Sequence, residues 1–94
     1  MDDLQLLGLW AAIRLDLELA AGLVPPGAGD GPQNLATFQE WLDHNELELA
    51  LEDLEALGDE NEVPQEFWHL LREAAKKMAL TTRVERYSRR LEQS

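Results

Sequence analysis

Carboxylates are the residues best supplied for chemistry in this chain. Between His44 and Leu57 the stretch HNELELALEDLEAL holds five, Glu46, Glu48, Glu52, Asp53 and Glu55, and no base. Paired carboxylates can perform general acid/base work, and His44 beside Asp43 and Glu46 offers metal-ligand types. The spacing supports neither use. With carboxylates so abundant, no single pair is informative, and HNELE lacks the Glu and the second His of an HExxH zinc helix. The other histidine, His69, is expected on the outer face of its helix. No cysteine is present to act as nucleophile or thiolate ligand. The Gly/Pro-rich run GLVPPGAGDGPQN contains no phosphate-cradling GxGxxG or GxxxxGKS. The expectation is a non-enzyme with no catalytic residue, no metal and no cofactor.

The acids must be carried by helices. Residues 44–57 contain no β-branched or aromatic residue, while Leu, Glu and Ala are among the best helix formers. Leu47, Ala50, Leu51, Leu54 and Leu57 then form one apolar stripe, with Asn45 as N-cap, Glu48 three residues on, and Gly58 as the stop. On the side away from the leucines lie Glu48, Glu52, Glu55 and, just past the end, Asp59. Leu49 stands off the main stripe as an apolar anchor. No lysine or arginine interleaves these acids, so like charges sit four residues apart. Asp43, Glu48, Leu49, Glu52, Glu55 and Asp59 are the candidate partner-binding surface. Because they point away from the core, reversing Glu52 and Glu55 to lysine should abolish binding while leaving the fold intact.

The rest of the chain reads as an all-α, compact bundle of about five helices in a single domain, residues 1–94, with a Gly/Pro-rich flexible loop at 22–34 after the first helix. The first helix, 3–21, is apolar on two sides: Leu4, Leu7, Ala11, Leu15 and Leu19 on one, Leu6, Trp10, Ile13 and Leu17 on the other. Such a helix is expected between layers, and the second face (Leu6, Trp10, Ile13, Leu17) is the candidate homodimer interface. Asn34 is placed to cap a short helix, Leu35 to His44, turning Leu35, Phe38, Trp41 and Leu42 inward. Pro64 suits the first position of a helix over 64–79 that buries Phe67, Leu70, Leu71, Ala74 and Met78, with Trp68 at the edge. Thr82 and Glu85 form a capping box for a basic C-terminal helix within 81–94 carrying Val84, Tyr87 and Leu91.

Charge is divided sharply along the chain. Residues 1–66 hold sixteen acids and one base, Arg14, for −15; residues 67–94 hold seven bases and three acids, for +4. The total of −11 disfavours nucleic acid and anionic membrane and favours a basic protein partner. Arg83, Arg86, Arg89 and Arg90 are expected to lie against the acidic helices of the same chain or of a second copy. The opening Met1-Asp2-Asp3 is acidic where a secretory signal is basic, and Arg14, Asp16 and Glu18 interrupt the apolar run behind it, so a cytoplasmic protein is expected.

The segment LATFQEWLDHNELELALEDLEAL followed by VPQEFWHLLREAAKKMAL resembles the MafI-family immunity proteins of bacterial polymorphic-toxin systems. The shared features are the His44-Asn45-Glu46 corner, the Ala50-Leu51-Glu52 helix core, the acidic gap from Gly58 to Val63 and the Met78-Ala79-Leu80 helix end, within residues 35–80. The PPGAGDG loop and the Arg-rich segment after Leu80 depart from the family pattern. The resemblance implies a cytoplasmic immunity protein that binds and neutralises a cognate toxin domain, nucleases being common among such toxins. An acidic helix can occupy a cleft built for phosphate, with steering to speed the encounter. The alternative is a helical homodimeric interaction or regulatory module with no toxin partner.

Overall fold

The computed structural model describes residues 2–25 and 35–93, and the side chains of 8–25 and 35–92. These residues form α1 (Asp2–Ala21), α2 (Leu35–Asp43), α3 (Leu47–Glu60), α4 (Gln65–Lys77) and α5 (Thr81–Gln93), with no strand among them. The alternating runs IRLDLEL and ELELAL are both helical, as Leu/Ala/Glu propensity requires. Helices α2 and α3 pack as one pair and α4 and α5 as a second, while α1 lies chiefly on α4 and to a lesser degree on α3. The expected stripes supply the core: Phe38 and Leu42 from α2, Leu47, Ala50, Leu51, Leu54 and Leu57 from α3, and Phe67, Leu71 and Ala74 from α4. Trp68 is also buried, edge-on to Phe67 with ring centroids 5.0 Å apart. The Gly/Pro-rich segment begins inside the fold, because Leu23 and Val24 turn back on the end of α1 and Val24 enters the core. Residues 26–34, including the expected Asn34 cap, lie outside the described residues.

The junctions differ from expectation in an instructive way. Asn45 does not cap α3. It closes α2, with φ of 60°, its N–H donating to Leu42 O (3.0 Å) while the N–H of Glu46 donates to Trp41 O (2.8 Å). This is the Schellman pattern, in which the residue past the helix end is left-handed; Asn tolerates that geometry better than most. Glu46 is then the first residue of the next junction, its carbonyl accepting from Ala50 N–H (3.0 Å). Helices α4 and α5 are joined the same way. Ala79 has φ of 59°, Leu80 N–H donates to Ala75 O (2.9 Å), and Leu80 O accepts the first bond of α5 from Val84 N–H (3.0 Å). That places Thr82 inside the first turn of α5 rather than at a capping box. Pro64 stands one residue before α4, at its N-cap.

Gly58 does not stop α3, which runs on to Glu60, where the Asn61 amide donates back to Leu57 O (2.9 Å). It is buried, and a Cβ there would fall 2.5 Å from Phe67 Cε1 and 2.8 Å from Trp68 Cζ2. The glycine lets two aromatic rings rest on the α3 backbone.

The expected sandwiching of α1 also needs correction. Ile13, Leu17 and Ala20 are fully buried against the chain's own core, so Ile13 and Leu17 are core residues of one domain rather than an interface between two. The opposite face is open, with Leu15 55% and Leu19 52% exposed. The molecule is only 18 Å along its shortest axis, two helices thick, so no third layer among the described residues covers that face. The side chain of Leu6 lies outside the described residues.

Two substitutions test these junctions by urea denaturation. Gly58→Ala should destabilise by about 1–3 kcal/mol, since the new methyl overpacks two rings held on opposite sides by core. Ala79→Gly should instead stabilise by about 0.5–1 kcal/mol, because relief of the left-handed Cβ clash exceeds the added chain entropy. A loss of stability in Ala79→Gly would show that the left-handed turn is not formed.

Candidate functional site

The acid stripe of α3 does not face solvent alone. Arg83 donates from Nη2 to Glu52 Oε1 (2.8 Å) and from Nη1 to Glu55 Oε1 (3.3 Å), and Arg86 donates to Glu55 Oε2 (2.7 Å). The Tyr87 hydroxyl donates to Glu55 Oε1 at 2.5 Å, and Arg90 pairs with Asp59. Arg90 also stacks over Trp68, its guanidinium carbon 4.0 Å from the ring centroid. The expected open stripe of Glu52, Glu55 and Asp59 is therefore corrected. These three acids are bound by the chain's own C-terminal helix, which the helical wheel of α3 alone could not reveal. The expectation that the arginines lie against acidic helices of the same chain holds for Arg83, Arg86 and Arg90.

Glu55 is the centre of this seam. Its side chain is 17% exposed and meets two guanidinium groups and a phenol. Burial, and then the hydrogen bond to Glu55, push the Tyr87 hydroxyl well above the usual phenol range, so it donates at every physiological pH. Glu52, Glu55, Asp59, Arg83 and Arg86 line one shallow groove of about 410 Å3 together with Asp53 and Ala56.

Asp53, not among the candidate partner-binding residues, is the buried acid among the described residues. It is 7% exposed, accepts a side-chain hydrogen bond from Trp41, and leaves Oδ2 without a partner among the described residues. Burial pushes its carboxyl above the usual carboxylate range; the hydrogen bond from Trp41 opposes this and the charge of Glu52 adds to it. The wheel places Asp53 on the flank of α3 that meets α2, a position whose burial only the α2–α3 pairing decides.

The remaining candidates are scattered. Asp43 is exposed at the end of α2, accepting from Gln39 Nε2 (3.1 Å). Glu48 and Leu49 are exposed in the first turn of α3, and no ion pair among the described residues reaches Glu48. Among the described residues no three His, Asp or Glu side chains converge to hold a metal ion, and no helix is long and apolar enough to cross a membrane.

A second surface was not legible in the sequence. A groove of about 470 Å3 opens where the first half of α1 passes the start of α3 and the α4–α5 corner. Its apolar wall is Leu9, Trp10, Ile13, Leu47, Met78 and Leu80, and its polar rim includes Glu46, Glu48 and Lys77. Trp10 is 40% exposed there. Lys77 is occupied by Asp16 at 2.5 Å, which leaves the carboxylates to set the sign of the rim. The cue available in advance was Trp10 at the margin of a core stripe; that Met78, Leu80 and the α3 start would join it is a tertiary fact.

No family model matches this chain, and no curated protein or solved structure matches it.

Three variants probe the acids. Glu55→Lys should cost about 2 kcal/mol, because it sets an ammonium against Arg83 and Arg86 and strands Tyr87, whereas Glu52→Lys alone should stay within about 0.5 kcal/mol. Asp53→Asn should raise stability at pH 7 by about 1 kcal/mol, since it removes a half-satisfied buried charge while keeping an acceptor for Trp41. A carboxyl with a raised folded pKa stabilises most below its unfolded value of 3.8 and loses that contribution as pH rises through the folded value. The advantage of Asp53→Asn should therefore shrink as pH falls toward 3.8. Parallel stability curves over that range would contradict the assignment.

Proposed function

We propose that this chain is a non-catalytic protein-binding module, acting as an immunity protein that binds and neutralises a cognate bacterial toxin in the cytoplasm. The observation that carries the protein-binding reading is the groove beside α1. There, a large aromatic side chain is left exposed above an apolar floor, bordered by Glu46 and Glu48, which no lysine or arginine pairs among the described residues. Exposed apolar surface rimmed by charge is the usual composition of a protein-docking site. The resemblance of residues 35–80 to MafI-family proteins supports the toxin as partner, and the net charge of −11 suits a basic one. The acidic surface on offer differs from the one expected from the wheel. Glu48 and Leu49 remain available, with Glu46 beside them, while Glu52, Glu55 and Asp59 serve the fold first.

A second reading, the homodimeric module, is favoured by one observation, the outward face of α1 with Leu15 and Leu19 half exposed. Light scattering separates the two. A dimer that Leu15→Glu converts to a folded monomer supports the second reading.

The decisive experiment for the first is to sequence the neighbouring reading frames and, where one encodes a large secreted protein, to co-express the chain with that protein's C-terminal domain. Rescue of growth, and recovery of a complex of the two proteins, is the expected result. Growth arrest that persists despite soluble expression of the chain removes the immunity reading.

A further inference from the structure

The molecule contains an arginine receptor that it fills itself: Trp68 supplies a ring face, Asp59 a carboxylate, and Arg90 lies against both. At the opposite end of α3 the same kinds of group recur without the arginine. Trp10 is 40% exposed, Glu46 and Glu48 line the same groove, and the one lysine on the rim is held by Asp16. Beneath them the apolar floor of Ile13, Leu47, Met78 and Leu80 gives the groove a volume of about 470 Å3. That is within the range of side-chain and ligand clefts, about 300–1,000 Å3.

We propose that this groove takes an arginine-bearing apolar segment of a partner protein. The guanidinium stacks on Trp10 and pairs with Glu46 or Glu48, and the apolar neighbours of that arginine fill the floor. Arginine fits better than lysine because its planar, weakly hydrated head can stack on an indole and meet a carboxylate at the same time. Phosphate-bearing ligands are repelled by the two glutamates. Three arginines of a second copy, Arg83, Arg86 and Arg90, are already bound in its own seam. The inference rests on the protein-binding reading and adds the chemistry of the segment that binds.

The test uses a fluorescein-labelled amphipathic peptide of about 14 residues, with leucines three and four apart and arginines between them, read by fluorescence anisotropy at physiological salt. Lysine-for-arginine and glutamate-for-arginine versions of the peptide are compared with it. The arginine peptide should bind tightest and the glutamate peptide not at all. Trp10→Ala and Glu48→Lys should each weaken binding about tenfold, whereas Glu62→Lys, the same charge change outside the groove, should leave it within about twofold. Should Trp10→Ala fail to fold by circular dichroism, Glu48→Lys against Glu62→Lys decides the question. The proposal is overturned if the lysine peptide binds as tightly as the arginine one, if Glu62→Lys matches Glu48→Lys, or if concentration-dependent self-association is what Glu48→Lys abolishes. The toxin assay keeps the two claims apart. Rescue by the parent and equally by both groove variants removes this inference and leaves the immunity reading intact, whereas peptide binding as described without rescue does the reverse.

Discussion

Phe67 and Trp68 lie directly on the backbone of α3 at Gly58, with no side chain between them. That approach sets the start of α4 against the end of α3 and leaves the outer side of Trp68 available to α5. Tyr87 packs beside it, with ring centroids 5.8 Å apart, and Arg90 stacks on it. Once Tyr87 is seated, the preceding turns of α5 bring Arg83 and Arg86 over Glu52 and Glu55. The close contact at a single glycine therefore aligns the charge seam as well as the core. A side chain at position 58 would push the rings outward and unseat the hydroxyl that donates to Glu55.

The seam also explains how a chain carrying −15 in its first two thirds folds without severe self-repulsion. Helix α5 contributes little apolar surface beyond Tyr87, Val84 and Leu91. Its attachment relies instead on arginines reaching across to α3 and on the Arg72 guanidinium, which donates to Ser88 Oγ at 3.5 Å. Exposed ion pairs contribute little individually. Around Glu55, however, burial reduces screening and three groups, Arg83, Arg86 and Tyr87, share one carboxylate, so the cluster acts as a unit. The excess acid left over is concentrated at the ends of α2 and α3 and in the turn before α4, where it shapes the long-range field that a basic partner meets.

A chain of this size cannot bury all the apolar surface it carries. Here the uncovered part is not spread evenly. Among the described residues it gathers mainly on α1, as Leu15 and Leu19 on the outward face and Leu9 and Trp10 beside the groove, with Leu49 alone on α3. A two-layer molecule gives each helix only one inward side, and α1 is the helix with apolar residues on more than one. Functional surface and incomplete burial are here the same physical circumstance.

Local residue chemistry by itself determined the five helices and most of the core. Leu/Ala/Glu propensity and a stripe at three and four residues are properties of a single helix, so Leu47, Ala50, Leu51, Leu54 and Leu57 could be read inward before any neighbour was known. The same holds for Phe67, Leu71 and Ala74. What required the tertiary structure was every statement about which partner a polar or ambiguous group meets. Glu52, Glu55 and Asp59 are outward on their own helix, yet α5 covers them. Asp53 looks like its neighbours, yet α2 buries it. The two faces of α1 are nearly equal in sequence, and only the placement of α4 made Ile13 and Leu17 core and left Leu15 and Leu19 in solvent. Asn45 and Gly58 carry the signals of a cap and a stop, but left-handed geometry suits either end of a junction, and a missing Cβ serves close packing as well as termination. Periodicity reports which way a side chain leaves its own helix, whereas burial and charge pairing depend on what another helix brings to that side.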